Sequence, residues 1–120
     1  SERRKNLSVF QELFGADERF IIQKEYGKSS AFSFPLVLNP ARNPARKKIL
    51  QALKKADVEY RIITGGCFPR HDVIKYFDHE IENIDNANIT HDFGLFLGNY
   101  SEDLTNELSQ AYDIMSLNFR

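Results

Sequence analysis

Val58-Glu59-Tyr60-Arg61-Ile62-Ile63-Thr64-Gly65-Gly66-Cys67-Phe68-Pro69-Arg70 is the stretch around which the chain is organised. Val58, Tyr60 and Ile62 alternate with Glu59, Arg61 and Ile63, a period of two that predicts a β-strand with two distinct faces. Glu59 and Arg61 then point the same way, roughly 7 Å apart along the strand. The paired glycines, Gly65 and Gly66, permit a sharp turn or a close backbone approach, and Arg70 follows within reach of the same end. An acid and a base on one face of a strand that stops at Gly-Gly describe a ligand-facing edge. They equally describe a solvent-facing edge whose charges discourage pairing with another sheet.

Working outward, Asn43-Pro44 predicts a helix start, with Asn as N-cap and Pro at the first helical position. Ile49, Leu50, Leu53 and Ala56 form its apolar face. Arg46, Lys47, Lys48, Lys54 and Lys55 form the other, which reads as a solvated face rather than a phosphate-binding patch. Asp57 closes the helix and the quoted strand begins, so strand, helix and strand make a compact α/β unit. Before it, Leu7, Phe10, Leu13 and Phe14 give helical spacing over residues 2–14, with Gly15 as the stop. Phe20–Ile22 and Ala31–Leu38 read as strands separated by a turn at Gly27–Ser30. Pro35 lacks an amide donor, which predicts that its strand is an edge or is interrupted there.

Beyond Arg70, Asp72–Phe77 reads as a short helix, followed by a polar connection through Asn83 and a helical turn over Asn86–His91. Gly94–Gly98 is a short apolar strand bracketed by glycines. Ser101 is expected to cap the last helix, with Glu102 and Asp103 at its positive end. Its buried stripe is Leu104, Leu108, Ala111, Tyr112 and Met115. The fold class expected is α/β of the α+β-like kind: a small, mostly antiparallel sheet with packed helices.

A chain of 120 residues suits one domain. Its 42% hydrophobic and 28% charged content fits a soluble globular protein rather than a disordered one. Sixteen basic against seventeen acidic residues leave a net charge of -1, which provides no field for nucleic acid or an anionic membrane. No apolar run approaches a membrane span and no signal peptide is visible. Cys67 is the only cysteine, so no internal disulfide or cysteine-based zinc site can form, and a reducing cytoplasm is the natural expectation. His71 and His79 lack a metal-ligand spacing and read as surface histidines, with no metal expected. Cys67 with His71 four residues on invites a thiol-nucleophile reading, but a small packed thiol is the default. Phosphate-binding glycine loops and the Gly-x-Ser-x-Gly elbow are absent from the sequence. The opening Ser1-Glu2-Arg3-Arg4-Lys5 reads as a piece cut from something longer, although removal of a methionine gives the same start.

Four segments in order carry a resemblance. Ser30-Ala31-Phe32-Ser33-Phe34-Pro35 is similar to a Ser-x-Phe-Gly-Phe-Pro signature, and Arg46 with its helix resembles an Arg-x-x-Leu-x-x-x-Leu helix. Val58-Glu59-Tyr60-Arg61 through Gly65-Gly66-Cys67-Phe68-x-Arg70 resembles an Ile-Glu-Thr-Arg…Gly-Gly-Asn-Phe-x-Arg block. Asn86-Ala87-Asn88-Ile89 followed by Gly94-Leu95-Phe96-Leu97-Gly98-Asn99 resembles Asn-Ala-Glu-Tyr-Ile…Gly-Phe-Phe-Val-Gly-Asn. Across most of residues 30–117 the order and spacing resemble the C-terminal small domain of the DegT/DnrJ/StrS-type sugar aminotransferases. They look closest to its branch of sugar-nucleotide 3-dehydratases.

This resemblance implies a parent enzyme of fold type I acting on a nucleotide-linked 4-keto-6-deoxy sugar, for deoxysugar or lipopolysaccharide O-antigen synthesis. It would use pyridoxal phosphate or pyridoxamine phosphate as an electron sink, usually within a homodimer. Residues 1–120 would be its C-terminal domain, inactive alone and not expected to hold the cofactor. The cofactor-binding domain, with the anchoring lysine or the histidine that replaces it, would precede these residues. No catalytic residue is expected here. Carried over, Glu59 and Arg61 match a Glu-x-Arg that faces the active site, the arginine being a natural clamp for phosphate or sugar oxygens. Gly65, Gly66 and Arg70 match the pocket-lining loop and its basic residue, so these five are the expected substrate-binding residues. Phe32 and Phe34 match strand aromatics expected in the core. Ser33 and Cys67 depart from the glycine and asparagine of the pattern. The alternative is a stand-alone interaction or regulatory α/β domain that kept the fold without the chemistry. A self-sufficient small enzyme lacks a convergent acid, base and nucleophile set.

Overall fold

The computed structural model describes residues 1–120. Helix α1 (Glu2–Gly15) leads into strands β1 (Phe20–Ile22) and β2 (Ser33–Leu38). Helix α2 (Arg46–Lys55) precedes β3 (Tyr60–Arg61). Helix α3 (Asp85–Phe93) runs directly into β4 (Gly94–Gly98), and α4 (Thr105–Leu117) closes the chain. The strands form one antiparallel sheet in the order β1-β2-β4-β3. The expected architecture is therefore the observed one.

Alternation along β2 is what seats the sheet on its helices. Phe34, Leu36 and Leu38 are buried while Ser33, Pro35 and Val37 are half-buried, the two-residue period of a pleated strand. Across the β2–β4 ladder, Leu95 and Leu97 join the same core. Phe10 and Phe14 of α1, Ile49 and Leu53 of α2, and Leu108, Ala111 and Met115 of α4 close over it. Rings supply much of this packing: Phe10 stacks on Phe34 at 5.0 Å between centroids, and Phe20 meets Phe14 and Phe119 edge-on at 5.0 and 5.6 Å. Such offset and edge-on pairs contribute beyond the apolar area they bury.

Several local expectations are corrected. Pro35 lies in an interior strand, not an edge or a break, and pairs with Phe96. The β1 ladder reaches only Leu36, so no strand faces Pro35 from that side and its missing donor leaves no rung unmade. Asn43 does not open α2. Its φ of 54° is left-handed, and it ends a 3-10 turn over Pro40–Arg42 that Asn39 caps by accepting from the Ala41 amide at 3.1 Å. Ser101 does not cap the last helix either. Leu104 holds the cap position without a side-chain bond, and Asp103 before it makes a local turn, accepting from the Thr105 amide at 2.9 Å and the Thr105 hydroxyl at 2.6 Å. Phe34 is core, as expected, but Phe32, one residue ahead of β2, is 75% exposed although its carbonyl accepts from the Asn99 amide at 2.9 Å. The quoted strand is shorter than its alternation suggested, since only Tyr60 and Arg61 find partners, Leu97 and Phe96.

Two buried asparagines tie α1 to the end of β4. Asn6 donates through Nδ2 to Asn99 Oδ1 and the Tyr100 carbonyl, both at 3.2 Å, and to the Glu102 carbonyl at 2.7 Å. Its Oδ1 accepts from the Leu104 amide at 3.0 Å. Asn99 in turn donates to the Arg3 and Ala31 carbonyls at 3.0 and 2.8 Å. Buried amides satisfied this completely fix one arrangement of the elements they join.

Candidate functional site

The site region lies where β3 leaves the sheet. Glu59 and Arg61 lie on one side of the strand, as the two-residue period requires, and Arg61 Nη2 donates to Glu59 Oε1 at 3.2 Å. Both side chains are about two-thirds exposed, 67% and 69%. Glu59 borders a hollow of about 290 Å³ with Val58, Tyr100 and Leu104. Arg61 does not border it.

Past Ile63 the chain turns through Gly65 and Gly66, with φ of 78° and 51°. Both values are left-handed, which explains the glycine pair. At Gly66 a second demand applies: a Cβ there would sit 2.5 Å from Nδ1 of His91. Gly65 has open space around it. Cys67 is fully buried, and its amide donates to His91 Nδ1 at 3.0 Å. A 3-10 turn over Phe68–Arg70 follows. Arg70 Nη1 then donates to Asp92 Oδ1 at 2.8 Å, and His71 Nε2 lies 2.5 Å from the Gly65 carbonyl. The C-terminal turn of α3 thus holds the chain that leaves the glycine pair at two points, Cys67 and Arg70, through neighbouring residues His91 and Asp92.

A shallow concavity of about 300 Å³ results, bordered by Arg46, Gly65, Gly66, Arg70, His71 and His91 among others. Arg46 reaches it from α2: its Nη2 donates to the Gly94 carbonyl at 2.7 Å, while its Nε is buried without an acceptor. Gly94 must be a glycine here, since a Cβ would lie 2.4 Å from the Thr90 carbonyl oxygen and 2.6 Å from Ile63. Of the five residues expected from the sequence, Gly65, Gly66 and Arg70 come together around this concavity. Glu59 and Arg61 pair with each other outside it. His91, Asp92 and Arg46 were not singled out as site residues. The only sequence cue for the first two is their place immediately before the Gly94–Gly98 strand. His79 is engaged locally, its Nδ1 2.8 Å from the Phe77 carbonyl.

On and beyond the loop, six large apolar side chains stand in water. Ile62 is 63% exposed, Phe68 58%, Tyr76 85% and Phe77 66%, and Val73 and Ile81 continue it. On the opposite side of the molecule's ladder, Asp17 accepts from Arg19 Nη2 and from the Tyr112 hydroxyl, both at 2.7 Å. The Arg19 guanidinium first, and the Tyr112 hydroxyl with it, hold the Asp17 carboxyl well below the usual carboxylate range against the opposing effect of burial. No helix is long and apolar enough to cross a membrane.

No family model matches the sequence. Over 115 residues, 94% of the chain, it is 35% identical to a GDP-4-keto-6-deoxy-D-mannose 3-dehydratase of Yersinia pseudotuberculosis. The structure of the Escherichia coli GDP-4-keto-6-deoxy-D-mannose-3-dehydratase with bound hydrated PLP superposes with a TM-score of 0.87 at 34% identity, covering 93% of this chain and 29% of that one. An aminotransferase of Helicobacter pylori, PseC, involved in pseudoaminic acid biosynthesis, shares the fold alone, with a TM-score of 0.77 at 13% identity; the match covers 98% of this chain and 32% of that one. The chain spans under a third of the length of the curated relatives it matches. Its identity to these 3-dehydratases over nearly its whole length shows that the chain belongs to the DegT/DnrJ/StrS-type family of sugar aminotransferases and dehydratases.

Proposed function

We propose that residues 1–120 are the C-terminal small domain of a pyridoxal- or pyridoxamine-phosphate-dependent enzyme that acts on a nucleotide-linked 4-keto-6-deoxy sugar. The observation that carries this reading is the 34–35% identity to 3-dehydratases sustained over 94–96% of the chain. A GDP-linked 4-keto-6-deoxymannose is the substrate this identity favours, and removal of its 3-hydroxyl the reaction. The parent protein works in the cytoplasm as a homodimer, in deoxysugar or O-antigen synthesis.

Within that reading, the exposed apolar surface from Ile62 through Ile81 is the face that meets the rest of the enzyme. The concavity around Gly65, Gly66 and Arg70 takes part of the substrate. Its character supports an oxygen-rich, anionic guest: Arg46 and Arg70 supply guanidinium groups, and the buried Arg46 Nε has no acceptor of its own. Arg61, on its exposed strand, reaches toward phosphate or sugar oxygens and takes its share of the substrate from outside the concavity. Glu59 holds the Arg61 guanidinium until then.

The residues of this chain do not by themselves fit the cofactor. No lysine borders the concavity for a Schiff base. Nδ1 of His91 is engaged by the Cys67 amide, and the Arg70 guanidinium by Asp92. The chain's part is to bind and orient substrate and to keep water from it.

Arg61→Ala in the full-length enzyme tests the assignment. Loss of one charge-assisted contact should raise KM for the sugar nucleotide about tenfold, with an unchanged melting temperature. Unaltered kinetics would remove Arg61 from the site. The 120-residue chain alone should neither bind pyridoxal phosphate in a spectroscopic titration nor turn over a sugar nucleotide. Turnover by that chain would overturn the domain reading itself.

A further inference from the structure

We infer that His91 is a positioning residue that sets the Gly65–Gly66–Cys67 turn, and that it does so only as the neutral imidazole carrying its proton on Nε2. The inference rests on the proposed substrate role of that turn for its functional consequence, and on geometry alone for the hydrogen bond itself. The Cys67 amide is a donor and cannot be anything else, so the Nδ1 that it meets at 3.0 Å must present a lone pair. The second observation is steric: the glycine at position 66 leaves 2.5 Å where a Cβ would meet that same Nδ1. The imidazole therefore occupies the space a side chain would take, and the backbone wraps onto it. Cys67 is fully buried, so its amide has no water to fall back on when Nδ1 is withdrawn.

His71 holds the same loop in the opposite sense. Its Nε2 lies 2.5 Å from the Gly65 carbonyl, an acceptor, so His71 donates there. A second proton on His71 leaves that bond intact. A second proton on His91 turns Nδ1 into a donor facing a donor and forces the turn open. The two rings stand 6.3 Å apart, edge to face. The charged and titratable groups around His91 are Asp92 on its own helix, Arg70, His71 and the Cys67 thiol on the loop, and Arg46 on α2. Asp92 is taken up by Arg70 at 2.8 Å, and Arg46 by the Gly94 carbonyl at 2.7 Å.

The test uses the full-length protein and its holoenzyme. Long-range proton–nitrogen correlation spectra should show His91 protonated on Nε2 and bare on Nδ1 at neutral pH, and the Cys67 amide resonance should move with His91 titration. His91→Leu should speed exchange of the Cys67 amide about two- to tenfold, the worth of one ordinary hydrogen bond. His91→Asn, whose Oδ1 can stand where Nδ1 stood, should restore the protection, and should also restore a raised KM for the GDP-sugar without a change in kcat. A histidine protonated on Nδ1, or a Cys67 amide whose exchange is the same in His91→Leu, would overturn the inference. Exchange that responds as expected while KM stays flat in every variant would leave the hydrogen bond standing and remove its role in substrate positioning, which overturns that half of the inference.

Discussion

Asn6 on the first helix and Asn99 just past the last strand share a buried hydrogen bond of 3.2 Å, and between them engage the backbone of five other residues: Arg3, Ala31, Tyr100, Glu102 and Leu104. Neither side chain sees solvent, at 1% and 4% exposure. Either substitution to alanine strands buried carbonyls or an amide without a partner. Asn6→Ala and Asn99→Ala should each cost about 1–3 kcal/mol, read by urea denaturation. The double variant should cost less than the two added together, since the pair shares one network.

Acid should weaken the fold through Asp17. Its carboxyl binds a proton less readily in the folded protein than its ordinary value of 3.8 implies, because of the Arg19 guanidinium first and the Tyr112 hydroxyl after it. The folded state therefore gains from the ionised form above that pH, and the gain drains away as pH falls below it. Asp17→Asn should lower stability at neutral pH and flatten the loss seen between about pH 4 and pH 2. Tyr112→Phe should remove about 1 kcal/mol. Denaturation midpoints across that range check both.

The two loop glycines should not be equivalent. Gly65→Ala meets open space and suffers only its left-handed φ of 78°, worth about 1 kcal/mol. Gly66→Ala carries the same backbone strain and must also displace the His91 ring 2.5 Å away. It should cost about 1–3 kcal/mol more and shift the Cys67 and His91 resonances, which Gly65→Ala should leave in place.

Breaking the Glu59–Arg61 pair should hardly touch stability. Both side chains are about two-thirds exposed, and such pairs contribute about 0.2–1 kcal/mol at most, less in salt. A double-mutant cycle by thermal melting should return a coupling energy below about 0.5 kcal/mol. Any large kinetic effect of Arg61→Ala in the parent enzyme then belongs to substrate handling.

Core truncation should be severe at β2. Phe34 is fully buried and stacks on Phe10 at 5.0 Å. Phe34→Ala should cost about 3–5 kcal/mol, measured against Phe32→Ala, which removes a ring 75% exposed and should cost well under 1 kcal/mol.

How much of this was legible follows from the range of the forces involved. Periodicity is local, so Ile49 and Leu53 of α2 and Leu108, Ala111 and Met115 of α4 could be assigned to the core from spacing alone, and are buried. The glycine pair announced its turn for the same reason. Pro35 misled because its lost donor matters only if a strand lies opposite, and that depends on where β1 stops. Asn43 misled because an asparagine can cap a helix or sit left-handed at the end of a turn, and Pro40 decided for the second. His91, Asp92, Asn6 and Asn99 carry no periodic signal. Their partners, Cys67, Arg70 and each other, are distant in sequence and meet only once the sheet has ordered.

The pairing of Ser33 with Gly98 also has a consequence for how the polypeptide is made. A nascent chain emerges from its amino end, so β2 waits without its main neighbour until almost the whole segment has been synthesised. During that interval Phe34, Leu36 and Leu38 are wet, and a strand rich in such groups invites chaperone binding or self-association. Messages cut short before Gly98 should therefore yield insoluble product, however well the first helix forms.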